Sequence, residues 1–145
     1  MGRSRGGFTS KLHIAATDES TPVAIVLTPG ERHDAAAFED LIEAVPPDCR
    51  PEKAIADKGY DSEAIREKLR DEGMKPVIPV RSTAVVRKRL DKKAYAQRNR
   101  IERFIGKLKQ FRRIATRYDK LAVSFMAFVH LTSAVIACRE YVNRA

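Results

Sequence analysis

Two β-rich runs near the amino end, KLHIAAT (11–17) and PVAIVLT (22–28), flank the turn-forming DESTP and predict a hairpin. The apolar spacing then turns helical. HDAAAFEDLIEAV (33–45) reads as a helix with Asp34 in the N-cap position, stopped by Pro46 and Pro47. KAIAD (53–57) is a short strand of the buried type, and KPVIPV (75–80) is another. Between them DSEAIREKLRDEG (61–73) is an amphipathic helix, opened by Asp61 or Ser62 and closed by Gly73. Residues 81–93 read as an exposed basic loop, and two carboxy-terminal helices cover about 94–113 and 120–142. The order β-β-α-β-α-β-α-α, a hairpin followed by βαβ units, implies an α/β fold: one mixed sheet flanked by helices. All of it fits a single domain over 1–145.

The last apolar run, LAVSFMAFVHLTSAVIAC (121–138), carries no charge and touches the lower length limit for crossing a membrane. Ser124, His130, Thr132 and Ser133 dilute it, so the expectation is a core helix buried on most sides, with His130 a satisfied core histidine and no membrane role. Apolar residues make up 43% of the chain and charged ones 32%, a globular balance that excludes wholesale disorder. Cys49 and Cys138 have no metal-ligand spacing and read as reduced thiols of a cytosolic protein.

Charge placement sharpens the picture. Residues 81–120 carry 15 Lys or Arg against Asp91, Glu102 and Asp119, a local excess of +12 within a chain of net +9. The remainder is slightly acidic. A localised basic block interleaved with aromatics is the footprint of a phosphate-backbone partner.

Within that block, YAQRNRIERFIGKLKQFRR (95–113) holds seven cations and one acid, Glu102. On a helical wheel Tyr95, Arg98, Glu102 and Lys109 fall within an arc of about 60°. Ile101, Phe104, Ile105, Leu108 and Phe111 form an adjacent apolar stripe, while Arg100, Arg103 and Lys107 cluster on a third face. Glu102 beside the buried stripe is expected to be partly desolvated and to need a compensating charge. Arg98, one turn earlier, can supply that charge; so can a metal ion. A second carboxylate, Asp57, ends the strand KAIAD before a glycine turn, a frequent location for a catalytic group, although capping the turn is the alternative. Two carboxylates with waters and phosphates suit Mg²⁺ or Mn²⁺.

Tyr95, Arg98, Glu102 and Lys109 match the Y-x2-R-x3-E-x6-K signature of bacterial insertion-sequence transposases of the DDE class, and the chain resembles that family over nearly its whole length. ADKGYDS (56–62) resembles the segment around the family's second catalytic aspartate, here Asp57; GRSRGGFTSKLH (2–13), GERHD (30–34) and the ending at 121–141 are also similar to it. The resemblance implies an RNase H-like fold and Mg²⁺-dependent cleavage and joining of DNA ends, with Asp57 and Glu102 as catalytic metal ligands. Tyr95, Arg98 and Lys109 would contact transposon-end DNA near the cleaved phosphate.

In that family the first catalytic aspartate lies on a strand upstream of GRSRGG, and Met1 immediately precedes this segment. Asp18 and Glu19 lie in the hairpin turn and are poor substitutes. The expectation is therefore the carboxy-terminal portion of a transposase, lacking the first strand. It is either a downstream reading frame joined to an upstream product by frameshifting or a non-enzymatic DNA-binding remnant that competes with a full-length enzyme. Its partners would be transposon ends, target DNA and further copies of itself, in the bacterial cytoplasm at the nucleoid. Arg100, Arg103 and Lys107 would add backbone contacts. Lys11 and His13 share a strand face that points either at DNA or at solvent, and His33 lines the cleft or simply precedes a helix. RKRLDKK (87–93) reads as a phosphate-contacting loop.

Overall fold

The computed structural model describes residues 2–4, 7–81 and 89–144. Strands β1 (Gly2–Ser4), β2 (Gly7–Ala16) and β3 (Pro22–Pro29) form an antiparallel sheet in the order β1-β2-β3. The hairpin β2–β3 pairs Leu12 with Leu27, His13 with Val26 and Ile14 with Ile25, with an irregularity at Ala15–Ala16. Its turn is tied by Asp18, whose carboxylate accepts from the amides of Ser20 and Thr21 and from the Ser20 hydroxyl. Then follow a 3-10 turn at Asp34–Ala37, α1 (Phe38–Glu43), β4 (Lys53–Ile55), a 3-10 turn at Lys58–Tyr60, α2 (Glu63–Asp71) and β5 (Lys75–Val77). The chain ends with α3 (Lys92–Tyr95), a 3-10 turn at Ala96–Arg98, α4 (Asn99–Lys109), α5 (Arg112–Ala115) and α6 (Ala122–Arg144).

Side chains alternate across a strand, so the hairpin presents two faces. Leu12, Ile14, Ile25 and Leu27 pack against Phe104 and Leu108 of α4, Ile114 of α5, and Phe125, Val129 and Ile136 of α6. The opposite face meets α1 through Ala15, Ala24, Val26, Leu41 and Val45. A further cluster, Phe38, Ile42, Ile65, Leu69, Met74 and Ile78, packs α1 and α2 against the β4–β5 region. Gly73 closes α2 with φ +76°, a backbone state that glycine adopts without steric cost.

Three expectations about how the elements are built need correction. The strands make two sheets, since β4 pairs in parallel with β5 and with no hairpin strand among the described residues. The helix expected over 94–113 is divided: three residues at 96–98 tighten into a 3-10 turn, and the chain leaves the helix at Phe111, whose extended backbone starts α5. Asp34 is not an N-cap, because His33 occupies that place without a side-chain bond while the Asp34 carboxylate is taken by Lys11. Ser62, one of the two residues expected to open α2, does take its N-cap, though without a capping bond, while the Asp61 carboxylate is committed to Arg66 and the Arg81 amide.

The apolar helix α6 is long and apolar enough to cross a membrane, yet only 28% of its apolar window is buried. It is buried along one stripe, Phe125, Val129, Thr132, Ser133 and Ile136, and not on most sides. Val123, Leu131, Tyr141 and Val142 are exposed. His130 is exposed as well, so it is not a core histidine. Cys49 is half-buried, Cys138 exposed, and both are free thiols.

Candidate functional site

The parallel ladder of β4 and β5 runs on past Ile55, with the Ala56 amide donating to the Val77 carbonyl. Asp57 then leaves the strand in extended conformation and opens the 3-10 turn at Lys58–Tyr60. One carboxylate oxygen, Oδ1, accepts from the Lys58 amide at 2.6 Å, so Asp57 does cap its own turn. The other oxygen, Oδ2, lies 3.6 Å from Arg98. The turn is held from several sides. The Tyr60 amide donates to the Asp57 carbonyl, and the Arg81 guanidinium donates to the carbonyls of Lys58 and Gly59. Gly59 passes so close to Asp34 that a Cβ there would lie 2.8 Å from the Asp34 carboxylate. Burial pushes the Asp61 carboxyl up, but hydrogen bonds from Arg66 and the Arg81 amide outweigh it and leave the group below its ordinary range.

Across from this turn, α3 starts at Asp91, which accepts from the Ala94 amide and pairs with Lys53 at the beginning of β4. The helical segment is thereby pinned alongside β4, and about two turns later Arg98 reaches the strand's far end. Its guanidinium donates to Glu102 Oε1 at 2.6 Å and pairs with Asp57 Oδ2, and it lies 5.7 Å from the centre of the half-buried Tyr95 ring. The three-residue pitch of the 3-10 turn stacks Tyr95 and Arg98 directly, so this pair survives the break in the helix. Glu102 and Asp57 remain more than half exposed, which corrects the expectation of a desolvated Glu102.

Of the expected apolar stripe, Phe104 and Leu108 are buried and Ile101 and Phe111 pack against the same cluster, while Ile105 is only half-buried. The cations divide. Arg103 pairs with Glu19 of the hairpin turn and Lys107 with Glu140 of α6, so both tie elements together. Arg100 and Lys109 are exposed and make no ion pair among the described residues. Lys11 is bound to Asp34 and the Arg32 carbonyl. His33 is exposed. His13 faces neither DNA nor solvent: it is 3% exposed, bonded to Tyr60 and Thr28. Of the basic loop, residues 82–88 lie outside the described residues, and Lys92 and Lys93 belong to the first turn of α3, not to a loop.

A family model described as "Transposase DDE domain" matches residues 2–136. The chain belongs to the DDE transposase family. It is 34% identical over 136 residues to "Putative transposase for insertion sequence element IS6501" of Brucella ovis, covering 91% of this chain and all of that relative. It is 36% identical over 151 residues to "Putative transposase for insertion sequence element IS402" of Burkholderia cepacia, covering 99% of this chain and 68% of the relative. No solved structure matches it.

For this DDE-family chain the donor chemistry fits a hard divalent cation, since two carboxylates from distant segments converge on one positive group and offer oxygen ligands alone. Among the described residues no third Asp, Glu, His or Cys joins them. If held there by Asp57 and Glu102, such an ion would supply charge neutralisation at a phosphodiester and would acidify an attacking hydroxyl. Of the residues that steady the Asp57 turn, Tyr60, Asp61, Arg66 and Arg81 were not legible as site residues, and His13 was considered only as a group facing DNA or solvent. Tyr60 and Asp61, inside ADKGYDS, and His13, at the end of GRSRGGFTSKLH, carried a local signal.

Proposed function

We propose that the chain acts in DNA transposition as the part of a transposase that carries two of its metal-holding carboxylates, Asp57 and Glu102, and much of its end-binding surface. The observation that carries this reading is the Arg98 guanidinium shared by both carboxylates, which brings a strand end and a helix to one point. Mg²⁺ or Mn²⁺ would take the same two side chains, with Tyr95, Arg98 and Lys109 lining the DNA beside it. Tyr95 can stack on a base while the cations meet phosphates. Further aspartate chemistry would come from an upstream strand of an RNase H-like sheet. Two strands can receive it: β2 over Ser10–Ala16 pairs with β3 alone, and β4 with β5 alone, among the described residues. On this reading the protein works on DNA in the cytoplasm, as a homo-oligomer with an upstream-frame product.

The test is cleavage of a labelled transposon end by the chain joined to its upstream segment. Cleavage is expected with Mg²⁺ and is expected to fall at least a hundredfold in Asp57→Asn and in Glu102→Gln, about the scale for removing an essential electrostatic group. Unchanged cleavage in either variant overturns the ligand assignment. A second reading, DNA binding without cleavage, draws on the lack of a third acid among the described residues. It expects salt-sensitive binding and no product under any metal or complementation condition.

A further inference from the structure

We propose that His13 is a positioning residue for Asp57, acting through the Tyr60 hydroxyl; this rests on the reading of Asp57 as a metal ligand. His13 sits in the middle of β2 on the face turned toward α1. Its Nδ1 lies 2.8 Å from Tyr60 Oη and its Nε2 lies 2.9 Å from Thr28 Oγ1 on β3. Thr28 is buried, so the imidazole is fixed at both ring nitrogens. Burial also lowers the pKa of His13, and it raises that of Tyr60 to about 12, helped by the charges of Asp34 and Asp57. Near neutral pH, one nitrogen of a neutral ring therefore donates and the other accepts, and the phenol keeps its proton.

Tyr60 transmits this fixation. It closes the turn that Asp57 opens, and its amide donates to the Asp57 carbonyl at 3.0 Å. Its ring is trapped between His13, edge-on at 6.4 Å, and Phe38 at 6.1 Å. The two sheets share no strand pairing among the described residues, so backbone ladders do not set the distance from the hairpin to the Asp57 turn. Side chains must set it. The His13–Tyr60 bond spans that gap directly, and the Lys11–Asp34 pair beside Gly59, on the same strand face, braces it as well. Groups behind a metal ligand that fix its orientation commonly matter about tenfold or more to metal affinity.

Two near-isosteric replacements separate the roles of the ring nitrogens. His13→Asn keeps a polar atom near the Nδ1 position, facing Tyr60, whereas His13→Gln keeps one near Nε2, facing Thr28. The readouts are hydrogen exchange of the Tyr60 amide and Mn²⁺-induced broadening of the Lys58 amide resonance, each beside a melting curve. In His13→Gln we expect Tyr60 exchange about five- to tenfold faster and Mn²⁺ broadening weakened by a similar factor, the scale of one lost hydrogen bond. His13→Asn should stay within about twofold of the parent on both. Tyr60→Phe should reproduce the Gln result, and it serves if a His13 variant does not fold. Thr28→Val should lower the melting temperature without moving either readout. Equal effects of Asn and Gln, or changes that merely track melting temperature, overturn the proposal. If Asp57→Asn leaves the Mn²⁺ broadening intact, the metal reading fails by itself, and amide exchange still decides the role of His13.

Discussion

Replacing Arg98 with glutamine should tighten the binding of a divalent cation, although it removes a residue from the candidate site. Arg98 neutralises Glu102 at 2.6 Å and Asp57 at 3.6 Å, and a metal ion claiming both carboxylates must displace it. The side chains are 30% exposed for Arg98, 53% for Asp57 and 55% for Glu102, so water screens both pairs. Exposed pairs of this kind contribute about 0.2–1 kcal/mol each, which puts the cost of displacing Arg98 at about 0.4–2 kcal/mol. At about 1.4 kcal/mol per tenfold, Arg98→Gln should bind Mn²⁺ about twofold to 25-fold more tightly. The assay is titration of free Mn²⁺ by electron paramagnetic resonance at low ionic strength. Lys109→Gln is the control for loss of a nearby charge that makes no ion pair. The gain should shrink as salt is raised, since exposed charges are screened over about 10 Å at 0.1 M. Weaker Mn²⁺ binding by Arg98→Gln, or a gain equal to that of Lys109→Gln, would refute the competition argument. On the proposed reading Arg98 contacts a DNA phosphate once released, so the same variant should lose DNA affinity as it gains metal.

Other outcomes follow from the core and from titration. Phe104 is fully buried where α4 meets the hairpin, so Phe104→Ala should cost about 3–5 kcal/mol in urea unfolding, against less than about 0.5 kcal/mol for Leu131→Ala on the exposed side of α6. Asp61→Ala strands the buried Arg66, leaving it the Ile78 carbonyl, and should cost about 2 kcal/mol. His13 has its pKa lowered by burial, with Asp34 and Asp40 opposing and Lys11 and Arg32 reinforcing the shift. The fold thus favours the neutral ring: its contribution is complete above the unfolded value near 6.5 and is lost as pH falls from there through the lower folded value. Melting temperature should be flat in this respect above pH 6.5 and decline below it, and His13→Asn should flatten the decline.

The elements with strong local signals were legible: the hairpin, the amphipathic α2 with its closing glycine, and the buried stripe of α4 each follow from residue spacing. Pairing between elements was not. The period of the strands says which face is buried, yet nothing in KAIAD or KPVIPV states whether they join the hairpin. The carboxylate contacts also went unforeseen, because Asp34 and Asp61 look like helix caps in sequence while their partners, Lys11 and Arg66, are chosen by tertiary packing. For the candidate site the spacing from Tyr95 to Lys109 pointed to Tyr95, Arg98 and Glu102, which the structure brings together, and the strand-end position pointed to Asp57. That Arg98 would bind both acids at once needed the Lys53–Asp91 pair to set the helical segment against β4.

Whether Asp57 and Glu102 hold a single ion is tested most directly by loading the chain with Fe²⁺ and triggering local backbone cleavage with ascorbate and peroxide. Fragments cut beside residue 57 and beside residue 102 should appear together, and both sets should vanish in Asp57→Asn and in Glu102→Gln. Cuts at one segment alone, or a pattern that neither substitution alters, would contradict a shared site.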